Sequence, residues 1–271
     1  EPRKYFTYDA AITGGGCAAN AAVAIARLGG EALLSARLGD DAIGDLISSS
    51  LEAEGVDLSL TDRAKDGRSS FSSIYVDAQG ERQIMNFRGS RLTEVPDILS
   101  DVPAVDVVLV DNRWGPLMRA GIDAGNRLGV PVIVDGEAQI GEDRFAGASH
   151  VAFSRHGLEE FAGTGQVEDA LTRAAEELGC WICVTDGELG TTILSDGEIE
   201  HVPALPIKAV DTLGAGDIWH GAFALRLAEG AMEIEAARFA NAAAAIKCTR
   251  FGGRDGAPTR AETEAFMKEQ T

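Results

Sequence analysis

The feature that most restricts how this chain of 271 residues can fold is a series of short, almost unbroken runs of Val, Ile and Leu. Val105 to Asp111, Val130 to Asp135, His150 to Ser154 and Trp181 to Thr185 are four such runs, and Ala32 to Leu38 precedes them. A strand that is apolar at every position has both faces buried, which happens where helices cover a parallel sheet on both sides. Helical patterns lie between and after the runs: Ala42 to Glu54, Pro116 to Leu128, Ala215 to Glu229, Glu233 to Thr249 and Arg260 to Glu269. The expected class is α/β, with a mostly parallel sheet flanked by helices. No linker, low-complexity tract or internal repeat divides the chain, so residues 1–271 are expected to form one domain.

Two segments break this pattern. Ser69 to Val76 and Glu81 to Phe87 alternate polar and apolar residues around Asp77-Ala-Gln-Gly80, a hairpin signature. Tyr5 to Ile12 also reads as extended. A small antiparallel β lid is expected from residues 3–13 and 68–89, covering a site or forming a dimer contact. A plain edge hairpin would have the same alternation.

Charge removes several classes of function. Against 24 Lys and Arg stand 43 Asp and Glu, a net charge of −19, which suits neither nucleic acid nor an anionic membrane. No apolar run approaches the roughly 18 residues of a membrane span, and no apolar stretch follows a basic start, so a cytoplasmic location is expected. Four cysteines make no disulfide framework. Cys180 and Cys183 form a C-x-x-C, but on a strand residues three apart face opposite sides. They are expected to pack in the core rather than share a metal.

Chemistry concentrates in Val210-Asp-Thr-Leu-Gly-Ala-Gly-Asp-Ile-Trp-His-Gly-Ala222. Gly214, Ala215 and Gly216 lead into an apolar helix, whose bare start carries unpaired N–H groups and the positive end of the dipole. With no bulky side chain in the way, an anion can approach those donors. Asp217 follows in the first turn. A carboxylate beside an anion site suits phosphoryl transfer to a hydroxyl, where one group stabilises charge and another accepts a proton. An acid in a first helical turn is also favourable for the dipole alone, and the spacing of Asp211 and Asp217 does not choose between these readings.

The whole string Asp211-Thr-Leu-Gly-Ala-Gly-Asp217 resembles the D-T-x-G-A-G-D signature of the ribokinase-like (PfkB) carbohydrate kinases. Gly15-Gly-Cys-Ala-Ala-Asn20 through Ala26-Arg-Leu-Gly29 is similar to that family's N-terminal glycine-rich signature, and Leu38-Gly-Asp-Asp-Ala-Ile-Gly44 to its G-x-D-x-x-G. The resemblance implies a ribokinase-like fold, with Asp217 as general base and the Gly214, Ala215, Gly216 and Asp217 amides as an anion hole. It implies that Gly15, Gly16 and Asn20 line the sugar site, the Asn20 amide bonding hydroxyls. Thr185-Asp-Gly-Glu-Leu-Gly190 resembles the family's T-x-G-x-x-G, which implies ATP contacts for Thr185, Gly187 and Gly190. Asn241 matches a position near the adenine in relatives, although a polar residue on a helix face is the plain reading. The loop Thr249 to Gly253, with Asp211, corresponds to a region that binds a monovalent cation such as K+ in some members. The family's cofactor is Mg2+ with ATP, and its lid packs against a second subunit, which implies a homodimer.

Two departures stand out. Phe153-Ser-Arg-His-Gly157 lacks the Asn and Glu of the family's N-x-x-E, which helps organise Mg2+ and phosphates. Mg2+ is then expected to be carried mainly by ATP and water. Relatives also begin with a strand, a Gly-rich turn and a sugar-binding Asp, and this chain starts downstream of them, so that strand is expected to be missing.

Within the family, Asp111-Asn-Arg-Trp114, Val134-Asp-Gly136, Ala152-Phe-Ser154 and Ile246-Lys-Cys-Thr-Arg-Phe-Gly-Gly-Arg254 are similar to sulfofructose kinases, which phosphorylate 6-deoxy-6-sulfofructose on its 1-hydroxyl. That resemblance implies that Lys4, Asn86 and Arg113 hold the sulfonate. A permanent monoanion with three acceptor oxygens suits these groups, at roughly 1.5–3 kcal/mol for each charge-assisted bond. Taken singly, a solvated Lys4, an acid-paired Arg113 and a polar lid Asn86 are equally ordinary. Fructose or a phosphorylated ketose remains an alternative substrate, since ketohexokinases also carry D-T-L-G-A-G-D.

Other classes fare worse. Gly14-Gly-Gly-Cys-Ala-Ala19 fits G-x-G-x-x-A, but no ribose-binding acid ends the next strand, where Ser35-Ala-Arg-Leu-Gly39 stands, so a nicotinamide dehydrogenase is disfavoured. No G-x-x-x-x-G-K-[ST] marks a P-loop. A non-catalytic sugar or nucleotide sensor is the serious alternative, favoured by the missing N-x-x-E and opposed by the retained Asp217.

Overall fold

The computed structural model describes residues 6–7, 10–76, 82–94, 99, 101–138, 145–195 and 197–270. In chain order, helix α1 (Cys17–Arg27) leads to strand β1 (Ala36–Gly39), helix α2 (Ala42–Ala53) and strand β2 (Thr61–Ala64), followed by hairpin strands β3 (Phe71–Val76) and β4 (Arg82–Phe87). Then come β5 (Val108–Asp111), α3 (Gly115–Leu128), β6 (Val132–Gly136), β7 (His150–Ser154), α4 (Arg155–Ala162), α5 (Val167–Leu178) and β8 (Trp181–Thr185). Strands β9 (Thr191–Ser195) and β10 (Glu198–Val202) precede α6 (Ala215–Ala228), α7 (Glu233–Cys248) and α8 (Arg260–Glu269).

The main sheet has the order β10-β9-β8-β7-β6-β5, with β5 to β8 parallel and β9 and β10 antiparallel. Alternation along its central strands divides the core in two. Ile133, Ala152 and Cys183 pack with α1, α6 and α7 on one face. Their neighbours Val132, Val134, Val151, Phe153, Ile182 and Val184 pack with α3, α4 and α5 on the other. Cys180 falls on the second face and Cys183 on the first, and all four cysteines are free thiols.

The edges differ from the sequence expectation. The run Ala32 to Leu38 forms a strand only from Ala36, and β1 pairs in parallel with β2 in a separate two-stranded sheet. Strands β9 and β10 add an antiparallel edge, joined across Gly197, that the apolar-run pattern does not reveal. The lid hairpin is present, Phe71 pairing with Phe87 and Ile74 with Ile84. Its tip, Asp77-Ala-Gln-Gly80, lies outside the described residues, as do Tyr5, Tyr8 and Asp9. Phe6, Thr7 and Ala10 to Ile12 form no strand, so the described part of Tyr5 to Ile12 adds nothing to the lid sheet.

The G-x-D-x-x-G stretch is a corner that holds the hairpin base. Asp41 caps α2 by accepting from Gly44 N at 2.9 Å and also accepts from Ser69 N at 3.0 Å and Ser69 Oγ at 2.7 Å. A Cβ on Gly44 would stand 2.3 Å from Gly39 O, so only glycine lets β1 and α2 meet there.

Helix α6 is buried on every side from Ile218 to Leu225, between α1, α7 and the sheet. A Cβ on Gly221 would lie 2.5 Å from Ala21 O, so α1 and α6 touch backbone to backbone. No helix among the described residues is long and apolar enough to cross a membrane.

Candidate functional site

The start of α6, where an anion hole is expected, is open. Gly214 takes the left-handed conformation at φ 77°, which glycine adopts without strain, and no side chain caps the helix. Ala215 donates its N–H to Thr212 O at 3.2 Å, so the four expected anion-hole amides are not equivalent. The Gly216 and Asp217 amides stand in the first turn, where no intrahelical acceptor is available to them.

Asp217 hangs below this opening. Its Oδ2 accepts from Asn20 Nδ2 at 2.6 Å, joining α6 to α1. The Cys17 thiol stands beside it, its sulfur and the carboxylate oxygens of Asp135 and Asp217 lying within 4.8 Å of one another. Burial pushes the Asp217 carboxyl above its ordinary range, opposed by the Asn20 bond, the nearby His220 charge and the Cys17 bond. Burial also drives the Cys17 thiol far up, with Asp217 and Asp135 adding to it, so Cys17 serves as a protonated donor rather than a nucleophile.

Gly15 and Gly16 form the exposed turn into α1, with Gly16 at φ 96° and nothing within 4 Å of where a Gly15 Cβ would be. The neighbouring Gly14 rests on Arg254, whose guanidinium would be 1.9 Å from a Cβ there. Arg254 is almost fully buried and donates to Ser50 Oγ at 2.7 Å, so it supports the glycine turn from beneath. Asn20 Oδ1 is buried and has no partner among the described residues, which leaves an acceptor facing this region.

The expected alkali-ion region carries a positive charge of the protein's own. Lys247 is fully buried, and its Nζ donates to Asp211 O at 2.6 Å and lies 3.5 Å from Asp211 Oδ2. Asp211 also accepts from Leu213 N at 3.0 Å and Gly252 N at 3.1 Å, with Gly253 N at 3.5 Å. Those bonds and the ammonium, working against burial, hold the Asp211 carboxyl below its ordinary range. The expectation of a monovalent cation near Asp211 and Gly253 is therefore corrected: a lysine ammonium stands against the carboxylate and carbonyl that an ion would use.

Among the residues expected to contact ATP, Thr185 ends β8, Gly187 opens a 3-10 turn, and Gly190 at φ 90° packs so closely that a Cβ would lie 2.3 Å from Val202 O. Asn241 Oδ1 accepts from Thr191 Oγ1 and Trp219 Nε1, both at 2.8 Å, and its Nδ2 donates to Val202 O and Pro203 O. Its hydrogen-bonding capacity is committed to the fold, so any influence on a base is steric. Where N-x-x-E is expected, Ser154 caps α4 through Gly157 N. The nearby Glu159 and Asp186 are both paired with Arg155, so this stretch is a poor fit to a protein-held Mg2+.

The three residues expected to hold an anionic tail are not seen together. Lys4 lies outside the described residues. Asn86, on β4, donates to Ser72 Oγ at 2.8 Å. Arg113 does reach the site, interacting with Cys17 and Asp135 electrostatically and lying 3.6 Å from Glu137 Oε2. Beside it, the Arg37 guanidinium stacks 4.3 Å from the Trp114 ring centre, and Arg37, Arg88, Arg91 and Glu94 line an open recess at the hairpin base.

Four site residues escape the sequence reading: Cys17, Asp135, His220 and Lys247. Each stands inside a quoted motif, but their partners are far away in sequence. The one available signal is an ionisable residue set against a run of apolar residues within a helix, as at His220 and Lys247.

The profile described as "pfkB family carbohydrate kinase" matches residues 9–260. A ribokinase of Bacillus subtilis (strain 168) is 29% identical over 264 residues, covering 93% of this chain and 87% of the relative. Fructokinase-1 of Zea mays is 28% identical over 286 residues, with 92% and 86% covered. The structure of Arabidopsis thaliana ribokinase complexed with ribose and ATP superposes with a TM-score of 0.84 at 25% identity, covering 99% of this chain and 93% of that one.

Proposed function

Because the chain belongs to the pfkB family of carbohydrate kinases, we propose that it transfers the γ-phosphoryl group of ATP to a ketose, with 6-deoxy-6-sulfofructose phosphorylated at O1. The observation that carries this reading is Asp217, held on Asn20 directly below the open start of α6. There the carboxylate would take the proton of the attacking hydroxyl while the Gly214, Gly216 and Asp217 amides stabilise charge on the phosphoryl oxygens. The sugar would lie over Gly15 and Gly16 and donate a hydroxyl to the unpartnered Asn20 Oδ1. Thr185, Gly187 and Gly190 would border the nucleotide. Mg2+ would bring charge neutralisation to the phosphates, carried by ATP and water rather than by this chain.

An anionic substrate is supported by cationic groups gathered on one side of a protein of net charge −19. Arg113 would contact the sulfonate together with Lys4 and Asn86, and the Arg37, Arg88 and Arg91 recess adds positive potential. The test is ADP release with sulfofructose, fructose 6-phosphate, fructose and ribose. Sulfofructose is expected to be preferred, with Arg113→Ala lowering kcat/KM for it by about 10–100-fold, the equivalent of roughly 1.5–3 kcal/mol. A preference for fructose or ribose, unaffected by that substitution, would keep the kinase and discard the anion pocket.

The hairpin would also join two copies of the chain. Ile74, Tyr75, Ile84 and Met85 are each about half exposed or more, a poor surface for a monomer to leave in water. Light scattering is expected to give twice the 28.4 kDa chain mass, and Ile84→Lys to give the single mass.

A further inference from the structure

His220 is 2% exposed in a stretch of helix buried on every side, so both ring nitrogens must find partners within the protein. Nδ1 lies 2.7 Å from Gly216 O, and Nε2 lies 3.1 Å from Ala152 O and 3.5 Å from Asp135 Oδ1. Every one of these partners is an oxygen acceptor. A neutral imidazole has one N–H and one lone pair, so it would aim that lone pair at a carbonyl oxygen. Only the doubly protonated ring satisfies both contacts.

We propose that His220 is a permanently charged imidazolium that positions Asp217 and keeps it ionised, with Asp135 as its buried counter-charge. Asp217 is one helical turn before His220, so both project from the same side of α6. Gly216, whose carbonyl takes Nδ1–H, belongs to the anion site itself. The ring therefore anchors the first turn of α6 to β7 through Ala152 and sets a positive charge behind the carboxylate.

The surrounding groups fit this charge. Asp135 faces the ring from β6, and its Oδ1 is buried with no hydrogen-bond partner among the described residues. Burial pushes the Asp135 carboxyl up to about 7, the His220 charge opposing this and Asp217, Glu137 and Asp111 adding to it; Cys17 faces from α1, and the Arg113 cation stands beside them. Burial would discharge a histidine, but Asp135, the two carbonyls and Asp217 raise its affinity for the proton. The proposal rests on Asp217 being the base only for its kinetic arm.

Two measurements test it. In 15N-histidine spectra of the wild-type protein, one ring is expected to keep the imidazolium pattern up to pH 8.5. His150→Gln, His156→Gln and His201→Gln, each removing another histidine, leave that signal in place. All four rings reaching the neutral pattern by pH 8 would overturn the charge assignment, whether or not the protein is a kinase. In the second measurement, His220→Gln is expected to move the acid limb of kcat upward by about one pH unit, since loss of a cation makes the carboxylate harder to ionise. A uniform fall in kcat with an unmoved limb would mean the ring only supports the fold.

Discussion

Asp217→Asn is expected to lower kcat by about 10³-fold, since a positioned general base contributes roughly 10²–10⁴. Asn has the shape to keep the contact with Asn20 and leaves the Gly214 turn untouched, so ATP affinity measured by calorimetry should change less than threefold. The sign of the stability change separates this from a folding defect. Burial raises the Asp217 pKa, so its ionised form is disfavoured in the fold at neutral pH. Removing that charge should raise the melting temperature while activity collapses. The same shift places the acid limb of wild-type kcat above the ordinary carboxylate value, with activity lost as pH falls through it. A sensor would keep its ligand affinity in the variant and would have no turnover to lose.

Lys247→Ala should act through stability as well as rate. It leaves the Asp211 carboxylate buried without its cation, and breaking such a pair costs about 3–5 kcal/mol. The three backbone donors on Asp211 soften this, so about 3 kcal/mol is the expected loss in urea unfolding at pH 7. The pH dependence carries a distinct sign. In the wild type Asp211 titrates below its ordinary value, so its contribution is present above pH ~4 and is lost as pH falls through the depressed pKa. The deficit of the variant should thus be full at pH 7, begin to shrink below pH ~4, and close only once pH has fallen through the depressed wild-type value, where the carboxyl is neutral in both proteins. Because Asp211 also ties Leu213 to the Gly252 loop, kcat should fall with KM for ATP nearly constant. Potassium or ammonium ions should restore part of the activity of Lys247→Ala and leave the wild type unchanged. Equal stability of the two proteins at pH 7 would show that the ammonium has no such role.

The central strands were legible because Ile133, Ala152 and Cys183 alternate with Val132, Val151 and Ile182 between two covered faces. The β9–β10 edge was not, because Glu198, Glu200 and His201 of β10 are exposed and polar and look like a loop. Asp217 and Gly214 could be picked out because a helix start and its glycines are local features, whereas Asn20 came only from the resemblance of its glycine-rich segment. His220 and Lys247 could not, since Ala152 and Asp211 lie 68 and 36 residues from them and no periodicity encodes such a meeting. Lys4 and Asn86 show the converse: residue type suited an anion, but the structure describes only Asn86, and gives it Ser72 as a partner.

The glycine contact between α1 and α6 has a consequence for the entropy of the reaction. With Gly221 pressed against the backbone of Ala21, the helix carrying Asn20 and the helix carrying Asp217 form a single stiff unit. An acceptor held by one and a phosphoryl group held by the other would meet at a separation set during folding rather than during binding. Orientation of this kind can supply several kcal/mol of a barrier without any added contact. If the hairpin closes over ligand as a lid, that closure would govern access by water and not the alignment of the reacting atoms.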